Sequence, residues 1–493
     1  MKMPHPCWQS LPAKFLLWLP VFSMFVMAER PSASAEEIVT LNQKADGYRG
    51  IWYMNQKSGD EYVYKYSGGL GTYCAKHRPF AVYRKEVEKT FFCYGGTTPQ
   101  SNRQLLHMVS FFDHKTKTVP RPTLLLDKHT NDAHDNPVIA VDDKGFIWVF
   151  STSHGTSRPS YIHRSKQPYD IDQFELVPAT RLEGSERVPI TNFSYMQAWH
   201  QPGSGFLCFF TRYNYPAART ICFMQSADGI EWSPWQRLAA IDEGHYQISS
   251  VGRTRAGSAF NYHPRGKGLN WRTNLYYLET PDNGKTWTTV DGRPLELPLT
   301  EVANLALVYD YEAEGLNVYL KDIRFDEQDR PILLYITSKG YQSGPKNDPR
   351  TWTIARWTGT NWDIRPITTS DNNYDFGELW FRTPYDWRIV APLATGPQPY
   401  NPGGEVVMWK SSDQGATWTK VRQMTTDSER NHTYVRRPVD SHADFFAFWA
   451  DGHGRQPSES SLYFANEEGR VFRLPREMDS NQAEPLEMKL PEQ

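Results

Sequence analysis

TPDNGKTW, residues 280–287, and SSDQGATW, residues 411–418, share the pattern S/T-x-D-x-G-x-T-W, and SADGIEW, residues 226–232, is a version shortened by one residue. In such a turn the Asp carboxylate can accept backbone N–H bonds, the Gly takes a conformation costly for other residues, and the Trp packs beneath. The pattern is structural, so it speaks to fold rather than to chemistry. Each copy trails the centre of a strand–turn–strand segment by about 25 to 35 residues, as a four-stranded unit would require.

Those segments recur along the chain. Alternating, aromatic-rich strand candidates pair around polar turns as HRPFAVY/KTFFCYGG, NPVIAVD/GFIWVFSTS, SYMQAWH/GFLCFFTRY, YQISSVG/GSAFNYH, LNVYLKDIRF/RPILLYITS, GELWF/RIVAPLA and TYVRRPV/DFFAFWA. Seven hairpins at intervals of 50 to 74 residues, with few stretches of helical period, read as propeller blades. The expected fold is all-β: a single seven-bladed β-propeller of four-stranded antiparallel blades. It should span residues 36–475, and the Pro/Glu/Gln-rich stretch 476–493 should form a flexible tail.

Lys2 and Lys14 precede or begin the apolar run FLLWLPVFSMFVMA, and Ala33-Ser34-Ala35 offers a small-residue cleavage site, so residues 1–35 read as a secretory signal peptide. The run is too short and proline-interrupted for a stable membrane span, and the expected location is secreted or periplasmic. Cys74, Cys93, Cys208 and Cys222 would remain after Cys7 leaves with the signal; Cys208 and Cys222 flank NYPAAR and are candidates for a bridge between neighbouring strands. A net charge of -2 argues against nucleic acid as the main partner, and a monomer is expected. Aromatic residues make up 14% of the chain, which suits both a β core and a sugar-stacking surface.

If every hairpin points the same way, the open ends share one face, and residues equidistant from a turn are cross-strand neighbours. His134 and His154 are symmetric about DDKG, Tyr195 and Arg212 about QPGSG, and His245 and His263 about Thr254, while His77 opens the first hairpin. Ordinary glycoside hydrolysis wants a pair of carboxylates, and none lies at these ends. Uronate β-elimination fits the set. An Arg clamps the carboxylate and neutralises charge as the C5 proton leaves, a His takes that proton, and a Tyr hydroxyl protonates the departing oxygen or serves as base when ionised. No redox cofactor is needed. The histidine-rich rim could hold a structural divalent cation, calcium or zinc, although no ligand set has diagnostic spacing.

From YSGGLGTYCAKHRPF through DAHDNP, STSHGTSRPSY and FFTRYNY to the repeated turns, the sequence resembles the BNR-repeat propellers that include the ulvan lyases. Those lyases carry two histidines about twenty residues apart and then a tyrosine and an arginine about sixteen apart. Here the intervals are twenty, His134 to His154, and seventeen, Tyr195 to Arg212. The resemblance implies a lyase acting on an acidic, uronate-containing polysaccharide. Arg212 would neutralise the carboxylate, His134 would be the base, His154 would help hold the acidic group, and Tyr195 would be the acid. Arg272 matches a second substrate-binding arginine. Tyr246 and His263 join the substrate-binding set by predicted position alone. Related propellers include hydrolases of rhamnose–glucuronate linkages, in which a histidine near the chain start is implicated on a different surface; His77 of AKHRPF is the counterpart here. A glycan-binding propeller without turnover is the third reading. Sialidases need an arginine triad led by an aromatic-Arg-Ile/Leu-Pro motif, which Glu186-Arg187-Val188-Pro189 does not supply.

Overall fold

A computed structural model of the protein describes residues 40–489; the expected signal peptide, with Cys7, lies outside them. Each of the seven predicted hairpins forms the first two strands of an antiparallel sheet of four or five strands. Pro137–Val141 and Ile147–Ser151, for example, pair Val149 with Ile139, and Tyr161–Ser165 and Phe174–Leu176 complete that sheet. The architecture is an all-β propeller of four-stranded antiparallel blades, two of them extended to five strands.

Seven is nevertheless not the number of substantial sheets. Eight have three or more strands. The additional one has Thr180–Glu183 at its centre, antiparallel to Glu186–Pro189 on one side and parallel to Glu231–Trp232 on the other. Its source is the ERVP segment, whose alternation forms a local hairpin that docks on the shortened SADGIEW turn, with Arg187 donating to the Trp232 carbonyl at 2.8 Å. The tail also departs from expectation. Gln482–Ala483 pairs with Val119–Pro120, and Leu486–Met488 adds a fifth strand beside Val471–Arg473. Short segments of this kind gain enough ladder bonds on a preformed edge to be held there.

The repeated turns join the third strand of a sheet to its outer margin. Asp413 accepts from Ser411 Oγ at 2.8 Å, Thr417 N at 2.8 Å and Thr417 Oγ1 at 2.6 Å. Gly415 has φ of +87°, and a Cβ there would come within 3.0 Å of Trp387, which satisfies both demands on that glycine. The first and last sheets pack together, Phe92 on Phe448 at 5.0 Å and Phe112 on Phe464 at 5.0 Å. Cys208 and Cys222 lie on adjacent strands but out of register, Cys208 facing Met224 and Cys222 facing Phe210. All four cysteines of the described residues are buried and free, so the predicted bridge is absent.

Where the innermost strands converge, charged residues are buried together. Arg78 pairs with Asp322 at 2.7 Å and Glu378 at 2.9 Å, and Arg436 and Arg437 approach the same two carboxylates at 3.5 and 3.6 Å. Removing one partner of such a set leaves an uncompensated buried charge, an effect of about 3–5 kcal/mol.

Several histidines are built in as neutral rings. His245 accepts from Ile241 N at 2.8 Å through Nε2 and donates to the Asn261 carbonyl at 2.9 Å. Burial pushes its pKa down to about 4, and does the same to His163. The unfolded chain, with ordinary histidine values near 6.5, therefore binds more protons between about pH 6.5 and 4, and folding stability should fall as pH drops through that window. Urea unfolding across the window should show the loss, and His245→Gln should flatten the slope. A pH-independent unfolding free energy would contradict this account of the buried rings.

Candidate active site

The open ends of neighbouring hairpins do share a face. In NDAHDNP, a turn of 3-10 helix, Ala133–Asp135, precedes the first strand of its hairpin, and the Asp132 side chain caps it by accepting from His134 N at 3.0 Å. His154 follows the second strand. The two rings stack with centroids 3.9 Å apart, and Asp132 lies against both, 2.5 Å from His134 Nδ1 and 2.7 Å from His154 Nδ1. Burial opposes ionisation of Asp132, but the two imidazoles outweigh it and hold the carboxyl well below its usual range. An ionised Asp132 only accepts, so both histidines carry their proton on Nδ1 and turn Nε2 outward. Arg158 braces the arrangement, donating to Asp135 at 2.5 Å and Asp132 at 3.2 Å.

The two imidazoles then differ. His134 is buried, and its Nε2 lies 2.6 Å from the Tyr73 hydroxyl and 2.8 Å from the Tyr66 hydroxyl, with Tyr73 donating to Tyr66 at 3.0 Å. Burial, aided by His154, pushes its pKa down to about 4 despite the opposing Asp132. His154 keeps 27% of its side chain exposed, and its Nε2 has no hydrogen-bond partner among the described residues. Tyr195 faces both rings, at 6.1 and 6.2 Å between centroids. Its phenol is held protonated by burial, which pushes its pKa well up.

Arg212 does not join this group. It donates to the Asn192 backbone and side-chain oxygens at 3.0 and 2.8 Å and lies over Trp235 at 4.3 Å. Counting from the turn assumed an unbroken ladder, but register shifts between Ser194 and Gln197, with Tyr195 at φ of +52°. This bulge re-aims Tyr195, which meets Tyr213 rather than Arg212: the Tyr213 hydroxyl donates to the Tyr195 hydroxyl at 3.1 Å. Tyr213 sits directly opposite Arg219 in the ladder, so both project to the same face, while Arg212 and Thr220 take the other. Arg219 is thus the arginine at the centre, 5.4 Å from the Tyr213 ring and 4.9 Å from that of Tyr246. It was legible only as the residue immediately after NYPAA, and alternation around the bulge was the available signal.

Arg272 and Tyr246 stand where predicted. Arg272 lies between the rings of Tyr246 at 4.3 Å and Tyr319 at 4.6 Å. Both line one cavity with Tyr195, Tyr66, Tyr73 and Lys65. His77 and His263 do not reach it: each has no exposed surface. His77 Nδ1 accepts from Cys74 N at 3.3 Å and its ring supports Tyr195 at 5.8 Å. His263 donates to the Trp271 carbonyl at 2.8 Å and packs behind Tyr246 at 5.2 Å. The substrate-binding role expected of these two is therefore replaced by support from behind, and the separate His77-centred surface that a hydrolase would need is not formed.

The cavity's electrostatics are one-sided. No carboxylate lines it, and among the described residues neither Arg219 nor Arg272 forms an ion pair. Arg219 Nη1 and Arg272 Nε are buried without partners. Burial, then Arg272 and Arg219, pushes Lys65 down to about 7. A larger cavity, about 1300 Å³, opens at the opposite ends of the hairpins, lined by turn residues such as Pro202, Arg253 and Thr383; neither Tyr195 nor Arg272 lines it. Asp132, His134 and His154 bring ligand-type atoms within 4.8 Å of one another, but a cation there would have to displace both Nδ1–H donations.

A model described as a BNR repeat-containing family member matches residues 90–370, more than half of the chain. The ulvan lyase-PL25 of Pseudoalteromonas sp. (strain PLSV) is 24% identical over 323 residues, 58% of this chain and 61% of that protein, so less than two thirds of that relative's length is covered. The ulvan lyase of Alteromonas sp. (strain LOR) is 20% identical over 380 residues, 69% of this chain and 73% of that protein. Among solved structures, a PL25 ulvan lyase bound to -[GlcA(1-4)Rha3S]- superposes with a TM-score of 0.64 at 16% identity, covering 86% of this chain and 96% of that one. The polysaccharide lyase Uly1 gives 0.57 at 11% identity, over 87% and 99%. The chain belongs to the BNR repeat-containing family.

Proposed function

We propose that the protein is a polysaccharide lyase that cleaves a uronate-containing polymer of ulvan type by β-elimination. The observation that carries this is a pair of buried guanidiniums with unused donors, Arg272 lining a cavity without a carboxylate and Arg219 beside it across the shared Tyr246 ring. An anionic substrate supplies the missing counter-charge. The named relatives, ulvan lyases, support the same substrate class.

The uronate carboxylate lies between Arg219 and Arg272, where charge growing on it as C5–H breaks is neutralised. His154 takes the C5 proton on Nε2, with Asp132 fixing the ring's direction and stabilising the imidazolium. The electron pair forms the C4–C5 double bond, and the C4–O bond breaks. Tyr195 returns a proton to the departing glycosidic oxygen. Its hydroxyl oxygen already accepts from Tyr213, so its own proton is free to be given. His134, expected as the base, is instead the buried partner that keeps His154 and Tyr73 in place. The propeller's sheets supply the frame, and the expected leader would deliver the enzyme to an extracellular polymer.

Turnover of ulvan should produce fragments with a C4–C5 double bond absorbing in the near ultraviolet, each lighter by one water than its hydrolytic counterpart. Hydrated fragments alone would overturn the elimination. Arg219→Gln should lower kcat/KM by about 10²-fold or more, while Arg212→Gln should change it by less than about threefold; the reverse ranking would restore Arg212 to the site. Asp132→Asn should lower kcat by roughly 10–100-fold with a displaced pH profile, KM staying close to its original value. An effect confined to KM would mean that Asp132 positions substrate rather than imidazole.

A further inference from the structure

Away from the cavity, the seam where the first and last sheets meet holds a second cluster of metal-ligating side chains. His114 directly follows the Leu106–Asp113 strand of the first sheet. His442 and Asp444 lie in the loop between Asn431–Arg436 and Ala447–Gly452 of the last sheet, more than 300 residues away in sequence. Their ligand-type atoms all lie within 4.8 Å of one another. The two imidazole rings are 3.9 Å apart, packed together against Tyr83.

The hydrogen bonding around His114 is incomplete in an informative way. Its Nε2 faces Thr90 Oγ1 at 2.8 Å, but Nδ1 is buried without a hydrogen-bond partner. That atom points at Asp444 Oδ2 across 3.6 Å, and His442 Nδ1 stands 3.5 Å from the same oxygen. A nitrogen lone pair aimed at a carboxylate is repelled, and a ring proton there would sit beyond hydrogen-bond reach. His442 Nδ1 meanwhile accepts from the Asp444 N–H at 3.1 Å, so the unpartnered atom of the cluster is His114 Nδ1, whose approach to Asp444 a cation between them would make favourable. The Lys117 ammonium, 2.5 Å from Asp444 Oδ2, supplies positive charge from the exposed side. It reaches neither imidazole among the described contacts, and its long side chain can swing away.

We propose that His114, His442 and Asp444 form a binding site for a zinc-class divalent cation that pins the first sheet to the last. Two imidazoles and one carboxylate with room for water suit a four-coordinate first-row ion, whereas calcium would demand six or more oxygens. Such an ion would tie segments distant in sequence at the point where the ring of sheets closes. Its effect belongs to stability and leaves the elimination chemistry untouched, because no residue of the cavity takes part.

Zinc should be titrated into the chelator-treated full-length protein, following calorimetric binding and thermal unfolding. The expected result is one saturating equivalent and a Tm raised by a few degrees at zinc concentrations about 100 times Kd. Turnover should be unchanged at temperatures where both forms are folded. His114→Ala and Asp444→Asn should abolish the Tm response, Asp132→Asn should retain it, and Lys117→Met should tighten zinc binding by removing the competing ammonium. Asp444 and Lys117 are partly exposed, so their variants test the site even if His114→Ala fails to fold. Absence of a Tm response, a response that survives Asp444→Asn, or one lost in Asp132→Asn would each overturn the proposal.

Discussion

Glu378 and Asp322, buried where the inner strands converge, face Arg78, Arg436 and Arg437 and little water. Charges in such a place persist only when paired and fully hydrogen-bonded. The Leu379 amide completes Asp322 at 2.8 Å, and the Arg437 amide completes Glu378 at 3.1 Å. From here the constraint travels outward. Arg436 also donates to the Thr72 carbonyl at 2.8 Å and to that of Cys74. The backbone on both sides of Tyr73 is thereby fixed. The Tyr73 hydroxyl meets His134 Nε2, His134 stacks on His154, and Asp132 aligns both. The geometry of the proposed catalytic group thus depends on an ion network that lies outside the cavity.

The loop bearing Tyr73 is fixed a second time from the histidine hairpin itself. Asn136 donates through one nitrogen to the Leu70 carbonyl at 2.8 Å and to that of Tyr73. Its oxygen lies so close to Gly95 that any Cβ there would collide with it. The residue two places after His134 therefore positions the phenol that caps His134. Holding an active group through two independent supports keeps its geometry within the few tenths of an ångström that proton transfer tolerates.

The hairpins and the repeated turns were legible because each rests on a local rule. Strand alternation, a polar turn, and an Asp–Gly–Trp spacing survive whatever the neighbours do. The eighth sheet was not legible, because Thr180–Arg181, the hairpin partner of ERVP, pairs with Glu231–Trp232 about 50 residues later, a contact that no local pattern announces. The paired tail was missed for the same reason: its polar composition is that of loose chain, and only the edges provided by Val119–Pro120 and Val471–Arg473 hold it. At the site, symmetry about a turn located His134 and His154 correctly because their hairpin has no register shift. It misplaced Arg212 because one extra residue at Tyr195 reverses which face the opposed residues take. Burial sorted the remaining histidines. A sequence shows an imidazole near a strand end but not whether Thr152 or a carbonyl already occupies its nitrogens.

The positive cavity raises the question of why a folded chain would keep Arg219, Arg272 and Lys65 together without an acid. Aromatic faces offer part of the answer: Tyr213, Tyr246, Tyr319 and Tyr374 surround the guanidiniums at 4.3 to 5.9 Å, and each such contact contributes on the order of 1 kcal/mol. A carboxylate side chain would stabilise the free protein more, but it would have to be displaced by the substrate's own. Rings make the cations tolerable without neutralising them. In the elimination proposed above, the unbound site would keep its full field for the moment when charge develops on the uronate, and stabilisation that a permanent counter-ion would have absorbed in the ground state would be realised in the transition state.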